Sequence, residues 1–253
     1  MHNLSDCYKG SPLHNEFAEE HETALKVRFD RAMTEDEFTP QDLAAMRRSY
    51  SEKKLENLPS DPFVAFSIWL HEANENQLIA EANAMVLSTI TSDLQVNSRT
   101  VLLKDISNGG FTFFTNYQSR KAQEIDVNPN VSILFPWYEM ERQISINGFA
   151  SKVSEEESDE YFSTRPWGSQ IGAWASRQSA PLPTRSELDL RVEGASNKWP
   201  DGSIVPRPPH WGGFRITPLN IEFWQGRRSR LHDRLRFERA SATLDWELTR
   251  YYP

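Results

Sequence analysis

The 253-residue chain is 38% hydrophobic and 25% charged, the make-up of a globular protein, and its formal net charge of −8 argues against non-specific attraction to nucleic acid or an anionic membrane. The single Cys7 excludes an intramolecular disulfide, and no run approaches the roughly 20 apolar residues that span a bilayer. With no basic-then-apolar leader of the secretory kind either, the expected compartment is the cytoplasm.

Residues 1–40 are acidic and weakly hydrophobic, and are expected to be a disordered leader before a single domain over residues 41–253. A helix is expected over 41–56, where Leu43, Met46 and Tyr50 recur on one face. Pro59 and Pro62 interrupt it, and a second helix over 62–79 starts behind the N-cap Asp61 with Phe63, Phe66, Trp69 and Leu70 as its apolar stripe. From Ala84 the hydrophobic period shortens towards two. Strands are expected over 85–91, 98–104 and 111–115, with Asn108-Gly109-Gly110 marking a hairpin between the last two.

A short helix from Ser119 to about Asn128 is followed by strands over 131–137 and 142–150. Ser154 and Glu157 have the spacing of a capping box, opening a helical stretch that runs on to about Ser176, and another helix is expected over 184–197. After a proline-rich loop, the closing strands are expected over 211–216, 221–225, 234–239 and 244–251. Many short antiparallel strands with helices between them predict a mainly β, α+β protein, a barrel with peripheral helices.

The chemistry concentrates in the segment from Trp224 to Arg234, which holds Arg227, Arg228, Arg230, Arg234 and His232 behind an aromatic strand. Arg carries a planar fork of donors suited to phosphate oxygens, and His changes protonation near neutral pH. Residues two apart in an extended segment face the same side, so Arg230 and His232 are expected to converge on one ligand. The first turn of the helix after Ser119 carries Arg120 and Lys121, where free backbone N–H groups and the helix dipole also favour a phosphate. The chain has neither the Gly-x-Gly-x-x-Gly of a dinucleotide fold nor a P-loop, and no metal-ligand spacing around Cys7. The adjacent His232 and Asp233 lack a Gly-x-Ser-x-Gly elbow and are not read as part of a hydrolase triad.

Four stretches in order resemble one family: Arg99-Thr-Val-Leu-Leu-Lys104, Phe114-Thr-Asn-Tyr-Gln-Ser-Arg-Lys121, Tyr161-Phe-Ser-Thr-Arg165 continuing through Ser169 to Ser179, and Trp224 to Arg234. Together they are similar to the pyridoxamine/pyridoxine 5′-phosphate oxidases, over about Met46 to Pro253. The resemblance implies an FMN-binding split β-barrel that works as a homodimer with flavin sites at the interface. It implies FMN contacts from Arg99, Thr100, Val101, Leu102, Leu103, Lys104, Phe114, Thr115, Arg120, Lys121, Gln143, Gln178, Ser179, Trp224 and Arg234. Lys104, Tyr161, Arg165 and Ser169 are implied to hold the substrate phosphate, and Arg230 and His232 to contact its pyridine ring as the catalytic pair. Arg47 and Tyr50 match a segment that approaches the substrate from the N-terminal side.

The implied reaction moves a hydride from C4′ of pyridoxine or pyridoxamine 5′-phosphate to FMN, with O₂ as acceptor, giving pyridoxal 5′-phosphate and H₂O₂, and ammonia from the amine. Two other readings stay open: a flavin- or pyridoxal-phosphate-binding carrier without catalysis, and an oxidase of another ring, as in phenazine biosynthesis. Lys104, Tyr161, Arg165, Ser169, Arg230 and His232 together are more than a carrier needs. The chain departs from the family pattern at Ala122, where Gly is common, and in closing on Arg250-Tyr-Tyr-Pro253.

Overall fold

The computed structural model describes residues 39–253, so the expected leader over residues 1–40 lies, save its last two residues, outside the described residues. The chain divides into two units, Met1–Arg48 and Ser49–Pro253. In the first, helix α1 (Pro40–Ala45) is capped by Thr39, whose hydroxyl accepts from the Asp42 N–H at 3.2 Å while the Asp42 carboxylate accepts from the Thr39 N–H at 2.8 Å. Leu43 and Met46 are exposed, and the helix stops there rather than at residue 56.

The reason for the short helix lies in where the backbone polar groups of residues 51–56 go. In the second unit the Ser51 N–H donates to the Glu141 carboxylate at 3.0 Å and the Leu55 N–H to Asp233 at 3.1 Å. The Arg250 guanidinium donates to the Leu55 and Glu56 carbonyls at 2.9 and 3.0 Å. Groups that a helix would pair four residues apart are here paired across the fold, and Leu55 is buried.

Helix α2 (Pro62–Glu75) opens as expected, with the Asp61 carboxylate accepting from the Phe63 N–H at 2.8 Å and Pro62 at the first helical position. It buries Ala65, Phe66, Trp69 and Ala73, a stripe at helical spacing, against the sheet. Phe66 meets Phe111 at 4.9 Å and Phe135 at 5.0 Å edge-on, and Trp69 meets Phe223 at 5.1 Å. Each such side chain stabilises the fold by about 1.5–3 kcal/mol, which makes this face the anchor of the helix. The helix ends at Glu75, short of residue 79, because Asn76 is extended.

Nine strands make one antiparallel sheet: β1 (Ala84–Ile90), β2 (Val96–Leu102), β3 (Asp105–Ser107), β4 (Gly110–Asn116), β5 (Asn130–Trp137), β6 (Arg142–Lys152), β7 (Trp211–Gln225), β8 (Asp233–Glu238) and β9 (Glu247–Tyr251). Their order is β2-β1-β5-β6-β7-β4-β3, with β8 also on β7 and β9 on β8. The curled half-barrel is the split-barrel architecture. The expected strand over 98–104 ends at Leu102, and Lys104 instead donates its N–H to the Thr112 carbonyl at 2.8 Å. Asn108 and Gly109 form the β3–β4 hairpin with φ of 51° and 68°, the left-handed pair that a two-residue turn requires.

The two strands expected over 211–216 and 221–225 are one strand, β7. Its first half pairs with β4 and its second with β8, while β6 runs beside both. The apparent break, Pro218, sits at a bulge opposite Gly148. A Cβ on Gly148 would stand 2.0 Å from the Thr217 carbonyl oxygen, so only glycine lets the two strands approach there.

Helix α3 (Arg120–Val127) joins β4 to β5. Between β6 and β7 lie α4 (Glu155–Ser163), α5 (Trp167–Ala175) and α6 (Arg185–Lys198). The helical stretch expected to be continuous to Ser176 is broken at Thr164-Arg165-Pro166, since residue 165 precedes a proline and resists the helical conformation. Phe162, Ile171, Val205 and Trp211 form a smaller core under these helices. Among the described residues no helix is long and apolar enough to cross a membrane.

Candidate functional site

A cavity of about 750 Å³ opens between the edge strand β2, the end of β4, the start of α3, and α4 and α5. Its lining brings together Arg99, Thr100, Val101, Leu102, Lys104, Phe114, Thr115, Arg120, Lys121, Tyr161, Arg165, Ser169, Gln178 and Ser179 from the sequence-predicted set. Leu103 points instead into the main core. Five of the lining side chains are cationic, and among the described residues no Asp or Glu lines the cavity. Such a surface suits dianions, because every charge in it favours the bound form.

The cations fall into two groups. At one end Arg99, Arg120 and Lys121 surround the start of α3. Lys121 is buried, and its ammonium donates to the Thr115 hydroxyl at 3.2 Å. Burial first, and the Arg99 charge second, hold its pKa below the ordinary lysine value. Thr115 in turn donates to the Gln178 side-chain carbonyl at 3.0 Å, which also accepts from the Asn116 N–H at 3.3 Å. Gln178 is thereby fixed by β4, and the next residue, Ser179, adopts a left-handed φ of 72° on the cavity wall.

Away from that group, Tyr161 and Arg165 gather around Trp211, and Lys104 and Ser169 also line the cavity. Tyr161 stacks on Phe114 at 4.0 Å with an interplanar angle of 17°, and Trp211 lies nearly parallel 6.2 Å from Tyr161. The Arg165 guanidinium sits over the Trp211 ring at 4.6 Å, and its Nη1 is buried with no partner. Burial lowers the Arg165 pKa, with the Tyr161 hydroxyl opposing that effect. A buried, unpartnered guanidinium nitrogen beside a cavity is a donor waiting for an acceptor.

Of the remaining predicted residues, Tyr50, Gln143, Trp224, His232 and Arg234 form a separate cluster that does not line this cavity. Gln143, Trp224 and Arg234 stand side by side across β6, β7 and β8. Arg234 is paired with Glu222 by two bonds of 3.0 and 2.9 Å, and also donates to the Tyr252 carbonyl at 3.2 Å. His232 packs against Trp224 at 4.5 Å and Tyr50 at 5.6 Å. Its Nδ1 accepts from the Arg227 N–H at 3.0 Å, which in the neutral ring assigns the proton to Nε2. Burial and the Arg230 charge lower its pKa, so the ring is biased to neutrality. Arg47 belongs to the first unit, where it is exposed just beyond α1.

The expectation of an extended segment through Arg230 and His232 is corrected. Arg228–Arg230 form a 3-10 turn, with Ser229 and Arg230 at φ of 56° and 62°. β7 ends at Gln225 and its antiparallel neighbour β8 begins at Asp233, so the chain must reverse direction between them. Arg230 is exposed while His232 is half-buried against the aromatics, and the two do not share a side by strand alternation.

Sequence reasoning missed Trp211, Asn116, Gly172, Ala173 and Ser176 on the cavity wall, and Glu124 behind it. Trp211 reads in the sequence as a strand residue only. Glu124 had a signal, its i,i+4 spacing from Arg120.

A family described as "Pyridoxamine 5'-phosphate oxidase" matches residues 71–199, and a "Pyridoxine 5'-phosphate oxidase C-terminal dimerisation region" matches residues 211–253. The pyridoxine/pyridoxamine 5'-phosphate oxidase of Rubrobacter xylanophilus is 50% identical over 84% of this chain and 97% of its own. That of Burkholderia mallei is 48% identical over 83% of this chain and 99% of its own. Among solved structures, PhzG from Burkholderia lata, in complex with tetrahydrophenazine-1-carboxylic acid, superposes with a TM-score of 0.72 at 34% identity, covering 77% of this chain and 94% of that one. A pyridoxamine 5'-phosphate oxidase-related, FMN-binding protein from Nostoc punctiforme shares the fold, with a TM-score of 0.61 at 14% identity, covering 78% of this chain and all of that one.

Proposed function

The chain belongs to the pyridoxamine 5′-phosphate oxidase family, and on that premise we propose that it oxidises pyridoxine or pyridoxamine 5′-phosphate to pyridoxal 5′-phosphate, with FMN as its flavin and O₂ as acceptor. The observation that carries this reading is a cavity lined by five cationic side chains and, among the described residues, by no acidic one. That lining offers what two phosphate dianions need, charge from Arg and Lys and neutral donors beside it. The volume lies within the range of small-molecule sites, roughly 300–1,000 Å³.

The residues present fit a flavin mononucleotide. Arg99, Arg120 and Lys121 would hold its phosphate, and Lys121 would regain through that phosphate the stabilisation that burial takes from its charged form. Thr115, Gln178 and Ser179 supply polar groups along the wall for the ring system. FMN, when bound, supplies hydride acceptance and its return to O₂ as H₂O₂. The work of the protein is then orientation and charge.

Lys104, Tyr161, Arg165 and Ser169 are the set we assign to the substrate phosphate. Arg165 reaches it with the unpartnered Nη1, held in place by the Trp211 face. For Arg230 and His232 the assigned role is contact with the pyridine ring. Neutral His232 can donate from Nε2 to a ring heteroatom while its Nδ1 stays tied to the Arg227 N–H.

Arg230, His232, Trp224 and Arg234 do not line the cavity of their own chain, and they lie in the segment matched by the dimerisation region. A two-fold dimer that brings this cluster of one chain to the cavity of the other completes the site, and we propose a homodimer on that ground. Cytoplasmic residence is the matching proposal for the compartment.

The test is spectroscopic. The purified protein should be yellow with one FMN per subunit, bleach anaerobically on addition of pyridoxine phosphate, and release H₂O₂ when air returns. A protein that takes up no FMN sinks the assignment. One that binds both ligands without bleaching is a carrier. Bleaching by a reduced phenazine precursor and not by pyridoxine phosphate would favour the ring chemistry suggested by the similarity to PhzG.

A further inference from the structure

Behind the Arg99 end of the cavity, the two arginines converge on one carboxylate. Glu124, on the second turn of α3, is almost fully buried with 6% of its side chain exposed. Its Oε2 accepts from Arg99 Nη2 at 3.2 Å and from the Thr89 hydroxyl. Its Oε1 accepts from Arg120 Nε at 2.9 Å and from Asn97 Nδ2 at 2.8 Å. Four donors on two oxygens leave the carboxylate saturated. Burial pushes its pKa up, but the hydrogen bonds and positive charges around it outweigh that, and Glu124 is held below the ordinary carboxylate range.

The arrangement fixes both guanidinium groups but leaves that of Arg120 largely available. Arg120 gives only Nε to Glu124, and its Nη1 and Nη2 have no partner among the described residues although Arg120 lines the cavity. Arg99 is fixed more fully, with Nη1 on the Thr89 hydroxyl and on the Leu87 carbonyl at 3.3 Å. Two like charges crowded with Lys121 at the start of α3 repel one another, and with no anion between them their flexible side chains would spread into solvent.

We propose that Glu124 is a positioning residue for the phosphate end of the flavin site: it does not touch the ligand, but holds Arg99 and Arg120 in a phosphate-receiving pose before the ligand arrives. This rests on the FMN reading above and deepens it. The proposal runs against simple electrostatics. A carboxylate beside an anion site should weaken anion binding, so its removal should tighten FMN if charge alone mattered. If positioning dominates, its removal must loosen FMN.

The experiment measures binding of FMN and of riboflavin, which lacks the phosphate, to flavin-free protein by quenching of flavin fluorescence. Glu124→Gln has nearly the same shape, but it loses the charge, and its NH₂ must face the donors at one oxygen position, so one of the two arginines loses its acceptor. The expected result is an FMN Kd at least tenfold weaker with a riboflavin Kd within about twofold of the unmodified protein. Glu124→Asp keeps the charge and shortens the reach by one methylene, so it should also weaken FMN and spare riboflavin, and it serves if the Gln variant fails to fold. FMN binding unchanged or tightened in the variants overturns the proposal. So does equal weakening of both flavins with a lowered Tm, since that marks a scaffold effect without phosphate specificity. Failure of the unmodified protein to bind either flavin would instead overturn the cofactor reading itself.

Discussion

Arg165 gives the sharpest separation of binding from folding in this protein. Its guanidinium lies over Trp211 at 4.6 Å and 5.6 Å from the Phe162 ring, and its Nη1 is buried without a partner. On the proposed role, Arg165→Ala removes one charge-assisted contact to the substrate phosphate, a loss of about 1.5–3 kcal/mol, or roughly tenfold to 150-fold in KM for pyridoxine phosphate. Stability follows a different account. The stacking lost is worth about 0.5–2 kcal/mol, while the unsatisfied donor that disappears had cost about 1–3 kcal/mol. These offset to within about 1 kcal/mol, so Tm should stay within about 2–4 °C of the unmodified protein. Arg165→Lys keeps a charge but neither the fork nor the flat stack, and should fall between the two in KM. Steady-state kinetics, the flavin spectrum and a thermal melt on the three proteins check this together. A large fall in Tm with KM unchanged would show Arg165 to be structural, and loss of FMN with KM unchanged would put it at the wrong end of the cavity.

Two further outcomes are expected. Lys121 must be protonated to meet a phosphate, and its pKa is lowered by burial and by Arg99. FMN affinity should therefore fall as pH rises through a value below that of ordinary lysine, and Lys121→Arg should remove the fall. Over the same interval the flavin-free protein should gain stability, because the unfolded chain still binds the proton that the folded one has released. A decline in FMN affinity that persists in Lys121→Arg would assign it to another group. Mixed dimers test the shared site: co-expression of an Arg165→Ala chain with a His232→Ala chain gives hybrids with one fully intact site, and about a quarter of the full activity on random mixing. No recovery above the two parents would mean that cavity and histidine act within one chain.

What the sequence alone determined is what neighbours along the chain decide. Asp61 before Pro62 starts α2, and the stripe Phe66, Trp69 selects its buried face, because capping and helical periodicity act within a turn or two. Asn108-Gly109 forces the β3–β4 hairpin because both residues tolerate the left-handed conformation. The grouping of Arg99, Arg120, Lys121 and Arg165 was legible through their place in motifs, and the structure gathers all four on one cavity wall.

Only the tertiary structure decided the rest. The helix expected over 41–56 takes in residues 51–56, but their backbone groups find Glu141, Asp233 and Arg250 across the fold, and those partners win. Two strands are expected either side of residues 217–220, yet β6 runs past Pro218 through a bulge at Gly148 and keeps β7 whole. His232 and Arg230 look like neighbours on a strand, but the reversal from β7 to β8 turns one inward and leaves the other exposed. Glu124 meets Arg120 within α3, but only β1 and β2 bring Thr89, Asn97 and Arg99 to the same carboxylate. Hydrogen bonds and ion pairs between residues 25 to 195 positions apart depend on which strands lie side by side, and no local pattern encodes that choice.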